Sequence, residues 1–274
     1  MTPEERKSLT HGEFWIPEAE REVYREALGT LNRAGVRYVV SGLYAINVYT
    51  GVYRQTKDLD LLMEPELVVD AARALKDAGF RVELEEPYWL AKAFKGAHID
   101  LIFGMANGIG FIDSSWYAHS RSAVLAATPV RVAPPEELIW HRLFIGERHR
   151  FDMADVVHLI LHMGARLDWD RLLERVGDDW RLLVSQLQFF DYVYPDHRDR
   201  IPEAVRDRLR ERDAAEPAAR RAVPPVCRGT VLSRYSFAID VNEWGFEDAR
   251  REMVTRVRSD PIVSEIRASS VWDG

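Results

Sequence analysis

Hydrophobic and polar positions follow two different patterns, which meet at Pro134-Pro135. Up to this point, short apolar or alternating runs, typical of strands, are separated by segments with apolar residues every three or four positions, typical of amphipathic helices. The predicted strands are 38–40, 58–62, 80–84, 89–94, 97–103, 124–128 and 130–133. The predicted helices are 18–33, 43–49, 67–78 and 111–119. This pattern predicts an α/β (α+β) domain over residues 1–133.

After the two prolines the pattern becomes helical. From Glu136 onward, apolar residues such as Leu138, Ile139 and Leu143 recur at helical spacing. Further helices are predicted at 169–176, 180–194, 202–212 and 246–258, and residues 226–245 combine a short extended stretch with a helix. We therefore predict a mainly helical C-terminal subdomain over residues 134–274.

The stretch 38–62 carries the most distinctive chemistry. Its first strand breaks at Ser41-Gly42, a helix and a polar loop follow, and the second strand holds Asp58 and Asp60 between leucines. Because side chains alternate along a strand, both carboxylates project from the same face. Two adjacent carboxylates near a core repel each other unless a cation compensates, and hard oxygen ligands suit Mg²⁺ or Mn²⁺. The pair therefore indicates a divalent metal site.

Each feature also has a purely structural interpretation. The Ser41-Gly42 pair is compatible with an ordinary strand-to-helix turn capped by serine. The two aspartates are compatible with a strand end that pairs with a basic residue of the preceding loop. Asp100 is the only carboxylate between Glu86 and Asp113, in a strand-like run, and it is compatible with an edge residue or a turn cap.

In combination, these residues resemble the nucleotidyltransferase superfamily. Its signature is a strand, a Gly-Ser or Gly-Gly turn that opens a helix, and Asp-x-Asp on the next strand; here the turn has the reversed order Ser41-Gly42, and the pair is Asp58-Leu59-Asp60. The sequence of residues 54–60, RQTKDLD, is most similar to that of the bacterial branch that includes AbiEii-type toxins. The resemblance implies a nucleotidyltransferase-like mixed sheet flanked by helices, followed by a helical C-terminal subdomain.

The resemblance also implies roles for individual residues. Asp58 and Asp60 become shared ligands of the metal ions, and Asp100 becomes the third carboxylate, nearer the acceptor, which helps to deprotonate the incoming hydroxyl. Ser41 and Gly42 hold the triphosphate tail, since glycine permits close approach of the backbone and the helix N-terminus favours an anion.

Three residues of the loop before the Asp-x-Asp strand are predicted to contact phosphate. Arg54 and Lys57 supply charge-assisted contacts, and Thr56 supplies a hydroxyl. A second block of the bacterial branch matches at Glu136, Leu138, Ile139, Arg148, Arg150, Asp152 or its neighbour, and Asp155. Arg142 occupies the position of the branch's lysine; arginine suits phosphate binding but is not a proton donor at neutral pH.

Composition and charge limit the class of protein and the compartment in which it is expected. The content of 47% apolar and 30% charged residues is ordinary for a globular protein, and the net charge of −7 argues against general coating of nucleic acid. Cys227 is the single cysteine, so no intrachain disulfide forms, and a reducing cytoplasm is the simpler expectation. The N-terminus lacks the apolar core of a signal peptide, and no run is long enough to span a membrane.

The predicted function is metal-dependent transfer of an NMP unit from an NTP to a hydroxyl acceptor, with Mg²⁺ or Mn²⁺ as cofactor. The acceptor is left open between RNA, protein and a small molecule, because the resemblance covers relatives of each kind. A toxin of a toxin–antitoxin pair is one role that it implies, with an antitoxin or a second copy of the chain as protein partner. The alternatives are a non-catalytic nucleotide-binding or interaction protein that retains the fold, and a phosphohydrolase that uses the same carboxylates.

Overall fold

A computed structural model describes residues 16–147, 150–215 and 224–273. The chain forms two compact units. The first contains the described residues of Met1–Pro134 together with those of Met253–Gly274, and the second contains those of Pro135–Glu252. The return of the C-terminal segment to the first unit is not visible in the sequence pattern. The functional division into a catalytic core at 1–133 and a helical subdomain at 134–274 stays a prediction.

A seven-stranded mixed sheet is the centre of the first unit. Its strands are β1 (Val39–Val40), β2 (Asp58–Leu62), β3 (Arg81–Glu86), β4 (Leu90–Phe94), β5 (His98–Ile102), β6 (Arg121–Leu125) and β7 (Thr128–Val132). Their order is β3-β4-β5-β2-β1-β7-β6. The pairs β2/β5 and β1/β7 are parallel, and the other pairs are antiparallel. This mixed sheet with flanking helices confirms the predicted fold class.

The sheet has one buried face because its central strands alternate. Leu59 and Leu61 of β2 and Ile99 and Leu101 of β5 are fully buried, whereas the residues between them are half-buried or exposed. The helices of the N-terminal part are α1 (Glu18–Arg33), α2 (Gly42–Thr50), α3 (Pro65–Asp77) and α4 (Ser114–Ala118). Helix α3 packs against β3 and β4, and α1 packs against α3. Asp58, Asp60 and Asp100 on the other face are half-buried, whereas Leu62 and Ile102 at the end of that face are buried. We call the face that carries the three aspartates the open face.

The C-terminal segment completes the first unit. It consists of helices α11 (Arg251–Ser259) and α12 (Pro261–Ala268), numbered after the helices of the second unit, and α12 packs against α3. Tyr88, Val257 and Val263 form a buried apolar cluster. The Lys76 ammonium donates a hydrogen bond to the Val271 carbonyl at 2.9 Å. These contacts explain why the segment belongs to this unit.

The second unit is mainly helical. Its helices are α5 (Pro135–Leu143), α6 (Met153–Met163), α7 (Trp169–Val176), α8 (Trp180–Val193), α9 (Glu203–Ala215) and α10 (Ala238–Asn242), with the short strand pairs β8 (Gly146–Glu147)/β9 (Arg150–Phe151) and β10 (Val226–Cys227)/β11 (Glu247–Asp248). Helix α5 packs against α6 and α7, and α6 packs against α8. Glu137 of α5 is fully buried and accepts hydrogen bonds from Arg171 and Arg175 of α7.

The main differences from the predicted elements lie at the turn between β6 and β7 and near the C-terminus. Strands β6 and β7 are joined by Ala126 and Ala127, both with positive φ (48° and 57°), so the first strand ends before the turn instead of running to residue 128. Glycine and asparagine are the usual signals for such a turn, and neither is present. The predicted helix 246–258 is shorter, because Glu247–Asp248 is strand β11, and α12 was not predicted.

None of the helices in the part of the chain that the structure describes has the length and apolar character needed to cross a membrane.

Candidate active site

The three predicted carboxylates lie on the open face of two adjacent parallel strands. In the β2/β5 pairing, Asp60 is the direct partner of Asp100, and Asp58 is the partner of His98. Neighbouring strands are about 4.8 Å apart, and paired residues point to the same face. The pairing therefore brings together Asp58, Asp60 and Asp100, although Asp100 comes some forty positions later in the chain.

Gly42 packs directly against Asp60. Its φ is +59°, in the left-handed region, and a Cβ atom at this position would overlap the Asp60 carboxylate oxygen Oδ2. The preceding residue, Ser41, is buried, and its backbone N–H donates to the Asp60 carbonyl at 2.9 Å. Glycine is thus required both by conformation and by space, and the N-terminus of α2 is held against the carboxylate.

The loop before β2 contacts Asp58 through Thr56. The Thr56 hydroxyl donates to the Asp58 carboxylate at 3.0 Å and thereby orients it. Arg54 and Lys57 are exposed on the same loop. Their phosphate-binding roles stay predictions, but their position next to β2 places positive charge beside the aspartates.

The open face has an unusual charge balance around Asp100. Burial raises the pKa of the Asp100 carboxyl, the Asp58 charge raises it further, and Lys92 and His98 oppose these effects. Lys92 is the direct partner of Asp100 in the β4/β5 pairing. Lys92 was not among the predicted site residues; its signal in the sequence is that it is the single charged residue in the apolar strand Leu90–Phe94.

Two buried tyrosines lie near the aspartates and were also missed. Tyr24 of α1 and Tyr44 of α2 form an edge-to-face pair with ring centroids 6.0 Å apart. Burial raises the pKa of the Tyr24 phenol above its ordinary range, and the charges of Glu20, Asp58 and Asp60 act in the same direction. The signal available in the sequence was the position of Tyr24 on the apolar face of an amphipathic helix.

The carboxylates of Asp58, Asp60 and Asp100 are chemically suitable ligands for a hard divalent cation. Three carboxylates offer the oxygen ligands that Mg²⁺ and Mn²⁺ prefer. Within residues 16–147, 150–215 and 224–273, however, no three side chains of His, Cys, Asp or Glu converge closely enough to hold a metal ion. Strand pairing brings the three aspartates to neighbouring positions without such convergence, and their role as ligands stays a prediction.

Arg142 has structural partners inside the second unit. Its side chain is buried, Nε donates to Asp155 Oδ2 at 3.2 Å, and Nη1 lies 3.3 Å from the Leu138 carbonyl. The Asp155 contact holds α5 to α6, and the Leu138 contact lies within α5. Neither supports the predicted phosphate-binding role, which stays a prediction. Arg150 pairs with Asp152 at 2.9 Å, and Arg148 lies outside the described residues.

The mixed sheet, with a glycine turn packed against an acidic strand, has the architecture of a nucleotidyltransferase. The chain belongs to a family of uncharacterised nucleotidyltransferases, whose family model matches residues 24–188. This range includes β1, the Ser41-Gly42 turn, Asp58, Asp60 and Asp100. The chain has no significant match among curated proteins.

Solved structures with detectable similarity include an antibiotic-resistance factor and an antibiotic adenylyltransferase. The antibiotic-resistance factor ANT(2'')-Ia is 18% identical, with coverage of 66% of this chain and 97% of that protein and a TM-score of 0.42. The lincosamide antibiotic adenylyltransferase LnuA is 14% identical, with coverage of 53% and 96% and a TM-score of 0.38.

Proposed function

We propose that the protein transfers an NMP unit from an NTP to a hydroxyl acceptor at the open face of β2 and β5. The observation that carries this proposal is the position of Asp60 between two features of the site. The Gly42 turn packs against it on one side, and Asp100 is its direct strand partner on the other. In this proposal the nucleotide binds on the Gly42 side of Asp60, and the acceptor binds on the Asp100 side.

On the nucleotide side, the N-terminus of α2 faces the triphosphate. A helix N-terminus favours an anion, and Gly42 allows phosphate to approach the backbone closely. Arg54 and Lys57 add positive charge from the loop, and Thr56 keeps Asp58 oriented. The α2 N-terminus, Arg54 and Lys57 would together hold the leaving pyrophosphate.

On the acceptor side, Asp100 accepts the proton of the attacking hydroxyl. The acceptor oxygen forms a bond to the α-phosphorus, and the bond from this phosphorus to the pyrophosphate oxygen breaks. Asp58, Asp60 and Asp100 would hold Mg²⁺ or Mn²⁺, which when bound neutralises charge on the attacking and leaving oxygens.

A second candidate is a nucleotide-binding protein without transfer activity. It is favoured by one observation, that the three aspartates do not converge to a metal-holding cluster among the described residues. The toxin role, the antitoxin partner and self-association stay further predictions.

A labelling experiment separates these functions. Purified protein is incubated with Mg²⁺ or Mn²⁺, each α-labelled NTP, and total RNA, protein extract or a hydroxylated small-molecule pool. We expect label on an acceptor and a loss of at least about 100-fold in Asp60→Asn. The matched control is Asp70→Asn, an exposed aspartate paired with Arg73 on α3, which should keep full activity. Equal labelling by wild type and Asp60→Asn would exclude transfer at this site, and release of phosphate without any acceptor would indicate a phosphohydrolase.

A further inference from the structure

The acidic centre continues into a row of charged side chains across the open face. The pairings of β2, β5, β4 and β3 place Asp60, Asp100, Lys92 and Glu83 side by side in that order. The four strands thus carry the sequence acid, acid, base, acid. The Gly42 turn lies at the Asp60 end of this row. Lys92 therefore lies beyond Asp100, on the side away from the proposed nucleotide position.

Lys92 differs from the other cations near it. Arg81 of β3 forms an ion pair with Glu83 at 3.1 Å, and Lys95 forms one with Glu26 at 2.8 Å. Lys92 is half-buried, and its charge acts on the Asp100 carboxyl, its direct strand partner. Among the described residues its ammonium forms no hydrogen bond or ion pair of the short kind formed by Arg81 and Lys95. A half-buried ammonium held only by this longer-range attraction keeps N–H donors for a ligand.

The ammonium identifies the ligand by its chemistry. An acceptor hydroxyl placed at Asp100 lies about one strand spacing, roughly 5 Å, from the Lys92 position. An ammonium offers three donors to a phosphate oxygen cluster and repels a cationic acceptor. We propose that Lys92 is an acceptor-side residue that binds a phosphate group next to the reacting hydroxyl. This inference rests on the proposed function and narrows its acceptor to a phosphate-bearing hydroxyl compound.

The same chemistry has two sources, the end of an RNA strand and a free sugar phosphate. The test therefore measures transfer to a short RNA oligonucleotide with a free 3′-hydroxyl, to ribose 5-phosphate, and to tobramycin as a polycationic acceptor. Wild type should use at least one phosphate-bearing probe with a lower KM than tobramycin. Use of the RNA but not the ribose 5-phosphate, or the reverse, identifies the source.

Lys92→Met should raise the KM for the preferred phosphate-bearing probe by about 10- to 100-fold, the usual range for a lost charge-assisted hydrogen bond. In Lys92→Arg, which keeps the positive charge, this KM should return most of the way to the wild-type value. The matched control is Lys95→Met, in the turn at the end of the same strand, which should leave this KM unchanged. The dissociation constant of a non-reactive NTP analogue should change little in all three variants.

Two results would overturn the inference. One is a fall in kcat at unchanged KM in Lys92→Met, which would show that Lys92 neutralises Asp100 and does not bind the acceptor. The other is preference of the wild type for tobramycin over both phosphate-bearing probes. Either result leaves the proposed function intact, because that function fails only if wild type and Asp60→Asn behave alike.

Discussion

Gly42 is the single residue on which the geometry of the site depends most directly. Its positive φ and the absence of a side chain allow the start of α2 to lie against the Asp60 carboxylate. Any other residue at this position has to displace that carboxylate or move the helix. The local conformation and the position of a proposed catalytic group are therefore coupled at one position.

Gly42→Ala should abolish transfer and lower stability by more than about 2 kcal/mol, since it adds both backbone strain and overpacking. Gly51→Ala is a matched control, because Gly51 also has a positive φ, of 70°, but has open space around its Cβ position. It should lose only about 1 kcal/mol and keep its activity. Urea unfolding and the labelling assay measure both. Full activity in Gly42→Ala would show that Asp60 is not constrained by this contact.

His141 of α5 predicts a pH dependence of stability. Burial and the nearby charges of Arg142 and Arg150 lower its pKa to about 4, below the value of roughly 6.5 in an unfolded chain. The unfolded state therefore binds a proton that the folded state does not, and stability falls as the pH drops from about 6.5 to 4. His141→Gln should remove about 1–2 kcal/mol of the loss between pH 7 and pH 5. Urea titrations at both pH values measure it, and equal losses in the two proteins would contradict the assignment.

At the scale of elements, one buried ion pair joins α5 and α6. The side chains of Arg142 and Asp155 are 5% and 4% exposed, and both charges are therefore largely removed from water. Loss of one partner leaves the other charge buried without compensation, which is usually more costly than the pair is worth. The contact thus specifies how the two helices pack.

Asp155→Leu should destabilise the second unit by about 3–5 kcal/mol, whereas the double variant Arg142→Met/Asp155→Leu should recover much of this loss. Asp213→Asn, which breaks an exposed pair with Arg181 in the same unit, should cost at most about 1 kcal/mol. Urea unfolding followed by tryptophan fluorescence measures the series. A double variant as unstable as Asp155→Leu would show that the pair itself contributes the stability.

At the scale of the whole molecule, the first unit is assembled from both ends of the described chain. The C-terminal segment contributes Val257 and Val263 to the cluster around Tyr88, and the Arg258 guanidinium lies 5.2 Å from the centroid of the Tyr88 ring. Tyr88 lies in the connection between β3 and β4, the strands that carry Glu83 and Lys92. The C-terminal segment therefore packs against the connection between the two strands that carry Glu83 and Lys92.

Removal of residues 253–274 should expose this cluster and lower the melting temperature of the first unit by at least about 5 °C. Val263→Ala is a milder variant that should lose about 1–3 kcal/mol through cavity formation. Val226→Ala, at an exposed position of the second unit, is the control and should change little. Calorimetry measures all three, and a truncated chain that melts like the wild type would show that the segment is dispensable.

Much of the fold was predictable because its signals are local. The alternation in β2 and β5 separates leucine from aspartate positions, and the helices α7 and α8 follow their apolar periodicity closely. The turn at Ala126-Ala127 and helix α12 were not predictable in the same way. The turn has positive φ at two alanines and lacks the glycine or asparagine that usually marks it, and α12 packs against α3, which is distant in the sequence.

The sequence by itself determined that Asp58 and Asp60 share a face of one strand and that a glycine turn precedes them, because strand periodicity and glycine conformation are properties of short segments. Only the tertiary structure decided which distant residues meet them. Parallel pairing of β2 with β5 placed Asp100 beside Asp60. Antiparallel pairing of β5 with β4 placed Lys92 beside Asp100. Register between strands is set by long-range hydrogen bonding and burial, and a shift of one residue would turn each of these side chains to the opposite face.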